Sequence, residues 1–322
     1  MAFDVSGLAA YVDQERFPLL VKSLFNAKTQ TLFTKQTGIK SADTLNLLDT
    51  DVILQLGGTC GFLSSGTTTL SQRTLTVGII KVNEALCQKT LQGYYIQSQL
   101  NPGSKQQNPA TAWAELYTEH KTGLTAQANE VGLWFGDTNS NVANAQRFDG
   151  QLKLIDAASA STVKACATNT DVLTISNVIA KFDEACDNIP AVLLGKPDFV
   201  FFVGWDVFRM YCTALKNANL FHYDPGTSWT DGEIQIPGTN VKIVAVHGLN
   251  LANRPVDSVQ SSTIQRFIGG RTSNFFVGTD LENEDEKFDM FYAREADQIR
   301  YVVEYKLGTQ FAYPSEIIQY GK

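Results

Sequence analysis

Apolar residues recurring every three or four positions mark the helices of this chain, and alternating or continuous apolar runs mark its strands. Trp113, Leu116, Tyr117, His120, Leu124, Ala128, Val131 and Trp134 form one helical stripe. The helix is expected to follow the turn signal Asn101-Pro-Gly-Ser104 and to run through Trp134. Gly136 follows, and glycine suits a helix C-terminal cap. At 1.5 Å per residue such a helix spans about 35 Å, the longest regular element expected. A second helix carries Val172, Ile175, Val178, Ile179, Phe182, Ala185 and Ile189 on one face and stops at Pro190. A third follows Gly204 with Val207, Phe208, Tyr211 and Leu215. Near the start, Phe17, Leu20, Val21, Leu24 and Phe25 mark an amphipathic helix in an N-terminal arm, with Pro18 in its tolerated first turn.

Strands lie between and after these helices. Phe199-Val-Phe-Phe-Val203 is a buried strand entered through Lys196-Pro-Asp198, and residues 234–236 and 241–246 form a hairpin about Pro237-Gly238. The end is all strand: residues 275–279 and 288–292, then Ile299, Tyr301, Val303 and Tyr305 alternating with Arg300, Glu304 and Lys306. Residues 51–82 read as a long two-stranded excursion, rich in Thr and Gly, with its apolar side chains at Leu70, Leu75, Val77 and Ile79. Two strands alone are marginal in water, so this arm is expected to lie on another subunit. Arg73, Leu75, Val77, Ile79 and Lys81 are its candidate intersubunit contacts. The fold class is α+β.

Composition narrows the function more than the fold. The chain has 322 residues, 43% of them hydrophobic, enough for one large domain or two intimate ones. Its charged fraction is 18%, below the usual roughly 25%, which suits a surface covered by neighbours. The net charge of −7 and the lack of a Lys/Arg cluster argue against a reader of duplex DNA, though not against a container for it. Five scattered cysteines, Cys60, Cys87, Cys166, Cys186 and Cys212, include no C-x-x-C pair and read as free thiols in a reducing cytoplasm. The first residues carry no signal-peptide pattern, and no apolar run approaches a membrane span, so a soluble protein is expected.

Catalytic motifs are missing. There is no P-loop, dinucleotide fingerprint, H-E-x-x-H or G-x-S-x-G. Gly57-Gly58-Thr-Cys-Gly61 lacks a following helix to bind phosphate, and Glu282-Asn-Glu-Asp-Glu286 lacks the calcium-loop pattern and reads as a solvated turn or a charged contact with a neighbouring subunit. His120 reads as a core or interface histidine. His222, Asp224 and His247 would make a metal site only if folding gathered them. No cofactor, metal or catalytic residue is assigned. The alternative is an α/β enzyme or small-molecule binder with its site at the strand-to-helix turn Gly204-Trp205-Asp206.

Several phrases, in their order, resemble tailed-bacteriophage major capsid proteins. These are Leu133-Trp-Phe-Gly-Asp137, Arg147-Phe-Asp-Gly-Gln-Leu-Lys-Leu-Ile-Asp156, Gly195-Lys-Pro-Asp-Phe-Val200, Ala214-Leu-Lys-Asn-Ala-Asn-Leu-Phe-His-Tyr223 and the closing run Ile299 to Pro314. The resemblance covers nearly the whole chain and implies the Hong Kong 97-type capsid fold. Carried over, the N-terminal arm is 1–40, the E-loop lies within 51–82, and the A-domain is 171–256. The P-domain is 83–170 with 257–322, including a spine helix at 109–135. The resemblance implies a non-enzymatic structural protein, forming hexamers and pentamers in an icosahedral or prolate virion shell. That shell encloses double-stranded DNA without reading its sequence. Portal, scaffold and decoration proteins are the implied partners, no membrane is involved, and assembly takes place in the host cytoplasm. No scaffolding segment is visible before the arm, and no Lys–Asn cross-linking pair can be matched. The alternative that the resemblance leaves is another virion structural protein, such as a decoration or connector subunit.

Overall fold

The computed structural model describes residues 27–55, 64–87, 111–158, 162–166, 171–218, 231–236, 238–255, 264–280, 287–296 and 298–321. The described chain opens with one helical turn (α1, Thr29–Leu32) and strand β1 (Thr34–Gln36). A hairpin of β2 (Ala42–Thr50) and β3 (Thr68–Thr76) leads into β4 (Gly78–Cys87). The long helix is α2 (Thr111–Phe135), followed by α3 (Gln151–Ala157), β5 (Lys164–Ala165) and α4 (Val178–Asp187). Then come β6 (Phe199–Gly204), α5 (Trp205–Asn217), β7 (Glu233–Gln235) and β8 (Lys242–Val246). The last strands are β9 (Phe267–Arg271), β10 (Phe275–Gly278), β11 (Lys287–Ala293), β12 (Gln298–Phe311) and β13 (Ile318–Tyr320).

A six-stranded mixed sheet, in the order β5-β13-β9-β6-β8-β7, is buried on both faces at its centre. That burial explains the unbroken apolar run of β6, because a strand covered on both sides has no polar face. Phe199, Phe201 and Val203 point to one core with Phe182 of α4 and Tyr211 and Leu215 of α5. Val200 and Phe202 point to a second core with Phe33, Trp134 and Phe275. Phe182 stacks on Phe267 at 4.5 Å, and Gly269 leaves the space that the Phe201 ring fills.

The other large sheet is organised by β12. It pairs antiparallel with β11 and with β4 along its first part, and with β10 near its end. Helix α2 crosses one face of it. Tyr117 meets Tyr301 edge-on at 5.7 Å and donates a hydrogen bond to Glu84 at 2.7 Å, and the Tyr305 hydroxyl donates to Asn129 at 2.7 Å. The helix ends as expected, with the Gly136 N–H donating to the Gly132 carbonyl at 2.8 Å.

One helix boundary shifts. Helix α4 starts at Val178, because Asn177 closes a turn ahead of it: its Oδ1 accepts from the Thr174 N–H at 2.7 Å and its Nδ2 donates to the Val172 carbonyl at 3.0 Å. Val172 and Ile175 therefore lie outside the helix and are exposed. Residues 34–36 of the expected arm pair in parallel with β10. Strands from both sides of residue 256 share the six-stranded sheet. The helix expected around Phe17–Phe25 and the side chain of Trp113 lie outside the described residues.

Candidate functional site

Most residues of the hairpin of β2 and β3 are exposed on the single chain. Nine residue pairs run from Ala42↔Thr76 to Thr50↔Thr68. Pairing thus begins well before the expected residue 51 and ends before Val77. At the root, Ile39, Leu45 and Leu75 form a small core with Val77 and Phe276. Leu75 is completely buried there, at 0% exposure. The Arg73 guanidinium lies 4.3 Å from the centre of the Phe311 ring, a cation–π contact, and burial lowers its pKa. Gln310 Nε2 donates to the Thr74 carbonyl at 2.8 Å, and the Tyr313 hydroxyl donates to the Leu48 carbonyl at 3.3 Å. Gly308 permits the approach: a Cβ there would sit 2.1 Å from the Thr76 carbonyl oxygen.

Away from the root the character reverses. Leu48 and Leu70 face each other across the ladder, yet Leu70 is 77% exposed. Beyond the last pair, the Asp51 N–H donates to the Thr67 carbonyl at 3.0 Å, and Gln55 Nε2 donates to Ser65 Oγ. Val52 and Ile53 are exposed there, and Leu54 is 92% exposed. Contiguous apolar residues left in water mark a surface made to be covered. Val52, Ile53 and Leu54 were not among the residues anticipated, although the run Val-Ile-Leu between Asp51 and Gln55 is their signal. Gly57-Gly58-Thr-Cys-Gly61 lies outside the described residues.

The five anticipated contact residues fall into two groups. Arg73, Leu75 and Val77 sit at the root, against their own chain. Ile79 and Lys81 lie on β4, on the sheet face opposite α2. Ile79 is 62% exposed, and Lys81 Nζ reaches Glu304 only at 4.0 Å. Phe291 and Arg300, paired across β11 and β12, share that outer face with them and are also exposed.

The turn Gly204-Trp205-Asp206 is built as a structural joint. Asp206 Oδ1 accepts from the Val207 N–H at 2.9 Å and Oδ2 from the Leu251 N–H at 3.2 Å. Asn250 Oδ1 accepts from the Trp205 N–H at 2.6 Å. The His247 ring lies against Trp205 with 5.5 Å between ring centres, and burial lowers its pKa. These side chains tie the end of β6 to residues 247–251. His222, Asp224 and the acidic run 282–286 lie outside the described residues. Among the described residues no three His, Cys, Asp or Glu side chains form a group able to hold a metal.

Three of the described thiols are not activated. Burial pushes Cys166 to about 11, Cys186 to about 12 and Cys212 to about 11, the opposite of what a nucleophile needs. The recurrent phrases have structural work instead. Trp134 and Phe135 are buried, and Gly136 and Gly150 pack backbone to backbone, with the Gly150 N–H donating to the Gly136 carbonyl at 2.8 Å. Lys153 Nζ bridges Asp137 at 2.6 Å and Asp149 at 2.7 Å. Burial tends to raise the Asp149 carboxyl, but hydrogen bonds from Lys153 and Thr138 hold it below the usual carboxylate range.

No protein-family model matches this chain, and no curated protein matches it. Solved structures do. A chain from Gordonia phage Cozz aligns with a TM-score of 0.62 at 10% identity, over 98% of this chain and 93% of that one. A chain from the capsid of the native GTA particle aligns with a TM-score of 0.61 at 10% identity, over 99% and 98%. A chain from the capsid of the cyanophage P-SCSP1u aligns with a TM-score of 0.57 at 13% identity, over 100% and 95%. Identities this low establish shape, not activity, and the shape is shared from end to end: this chain has the fold of phage capsid chains.

Proposed function

We propose that this chain is the major capsid protein of a tailed phage, a shell subunit of the Hong Kong 97 type with no catalytic task. The observation that carries the reading is end-to-end similarity, in both directions, to chains of assembled capsids. A fold shared over part of a chain would leave room for an added catalytic unit. The exposed apolar end of the hairpin supports the same reading, since a shell subunit needs arms that neighbours cover.

In this reading the hairpin from Ala42 to Thr76 is the E-loop and α2 is the spine helix. The region 171–256 is the A-domain, with the P-domain formed from 83–170 and 257–322. Residues 1–40 serve as the N-terminal arm. Hexamers and pentamers close the shell in the host cytoplasm, with a portal, a scaffold and in some cases decoration proteins as partners. The DNA inside is enclosed without base-specific contacts, consistent with the chain's negative charge. Contacts between subunits use the hairpin end together with the outer face around Ile79 and Lys81, and Arg73, Leu75 and Val77 set the angle at which the hairpin leaves the body.

Expression of the full chain, alone and with a candidate scaffold, followed by sizing and negative-stain electron microscopy, tests the reading. Hexamers, pentamers or closed shells are expected. A discrete monomer under every condition, with saturable turnover of a small molecule, would overturn it.

A further inference from the structure

Helix α4 is flanked by two loops that hold apolar side chains in water. Apart from the hairpin, the outer sheet face and Leu124, the large apolar residues exposed among the described residues are Val172 and Ile175 before α4, and Val192 and Leu194 after it. Val192 is 81% exposed. Both loops are anchored. Leu173 and Leu193 are buried in the core that holds Phe182 and Tyr211, so one leucine pins each loop. The Asn177 side chain closes the first loop. In the second, the Leu193 N–H donates to the Pro190 carbonyl at 2.8 Å and the Lys196 N–H to the Leu193 carbonyl at 3.1 Å. Apolar side chains already fixed in place lose little conformational freedom when a partner covers them.

The two patches differ in place and in charge. The ten residues of α4 set them about 15 Å apart, at opposite ends of the helix. Asp171 stands before Val172, its side chain 56% exposed although it also meets Lys181 at 3.1 Å. Lys196 is exposed two residues after Leu194. Of the acidic residues on either side of that second patch, Asp187 belongs to α4 and Asp198 accepts from Ser273 Oγ at 2.7 Å. From Ile189 to Gly195 no residue carries a polar side chain.

We propose that these loops form a head-to-tail joint between copies of this chain: Val192 and Leu194 of one copy cover Val172 and Ile175 of the next, with Lys196 set against that copy's Asp171. The joint rests on the shell reading above and supplies the contact that closes its rings. In a pentamer or hexamer each copy has one neighbour in front and a different one behind, so every subunit must present two unlike surfaces that fit each other. Two branched apolar side chains on each loop, bordered by a carboxylate on one and an ammonium on the other, meet that condition. A patch that paired with its own copy would instead bring Asp171 to Asp171 or Lys196 to Lys196, and like charges in contact oppose association.

Sedimentation of the full-length chain tests the joint with two double variants, Val172→Asp with Ile175→Asp and Val192→Asp with Leu194→Asp. All four positions are exposed, so both variants should unfold at the midpoint of the parent chain. Each alone should lose the pentamers and hexamers that the parent forms. Mixed in equal amounts, they should form a two-chain species and stop there, because such a pair retains one intact joint. Asp171→Lys and Lys196→Asp should each weaken ring formation, and the two together in one chain should restore it. Rings from either double variant, or a mixture that behaves as its separate components, would overturn the joint. So would a double charge reversal that assembles no better than the single ones. A parent chain that stays monomeric, alone and with a scaffold, removes the shell reading and the joint with it, whereas rings from parent and variants alike remove the joint only.

Discussion

Single residues in this chain set how closely its segments approach. Gly308 lies within β12, where its missing side chain admits the backbone of Thr76 and Val77. Both neighbours are backbone, so neither can rotate away from an added methyl group. Gly308→Ala should therefore destabilise the folded chain by about 1–3 kcal/mol, the usual range for overpacking, as read by chemical denaturation. An unchanged midpoint would mean that the hairpin root can move off β12. Part of this was legible: a glycine inside an alternating strand marks a close backbone approach. Which backbone approaches is a matter of tertiary structure, and nothing local to the run Tyr305-Lys-Leu-Gly-Thr309 specifies it. Glu130, buried on α2, was harder still. A lone Glu on a helix normally faces water, and its donors come from residues 28–29 and 248, far away in sequence.

Among the elements, the hairpin divides into a half that stabilises its own chain and a half that does not. Leu75 and Leu54 make the contrast testable, one completely buried and the other almost completely exposed. Leu75→Ala should cost about 2–5 kcal/mol in unfolding free energy. Leu54→Ser should change it by no more than about 0.5 kcal/mol, yet reduce particle formation measured by sedimentation. Equal stability losses in the two variants would erase the division. The junction between hairpin and sheet was readable from the sequence, though the two-stranded excursion expected over residues 51–82 passes over it. Inward positions are odd-numbered up to Leu75 and Val77, then even-numbered at Ile80, Val82 and Leu86. A strand that keeps one face inward cannot change phase without a break, and the break comes at Val77-Gly78. The start of α4 failed for a different reason. Val172 and Ile175 fit the helical period, but the side chain of Asn177 bonds the backbone ahead of it and outcompetes the helix.

For the whole molecule the consequence is a body that can lose its arm. Strand β12 joins β4, β11 and β10, and helix α2 covers one face of that sheet, so none of these contacts needs the outer part of the hairpin. A short Gly-Ser turn replacing residues 46–72 would keep Leu45, Leu75 and Ile39 together at the root. A cut running on to Lys81 would be a poorer experiment, because it removes the residues of β4 that pair with Glu304 to Leu307. The shorter truncation should leave circular dichroism and the unfolding midpoint close to those of the intact chain. Assembly should fail, because obligate interfaces bury more than roughly 2,000 Å² and the missing arm carries Leu48, Val52, Ile53, Leu54 and Leu70. Electron microscopy of the truncated protein is expected to show free subunits or open fragments. Closed shells from the truncated chain would show that the arm is dispensable to the proposed assembly, and the covered surface would then have to be the outer face of β4, β12 and β11.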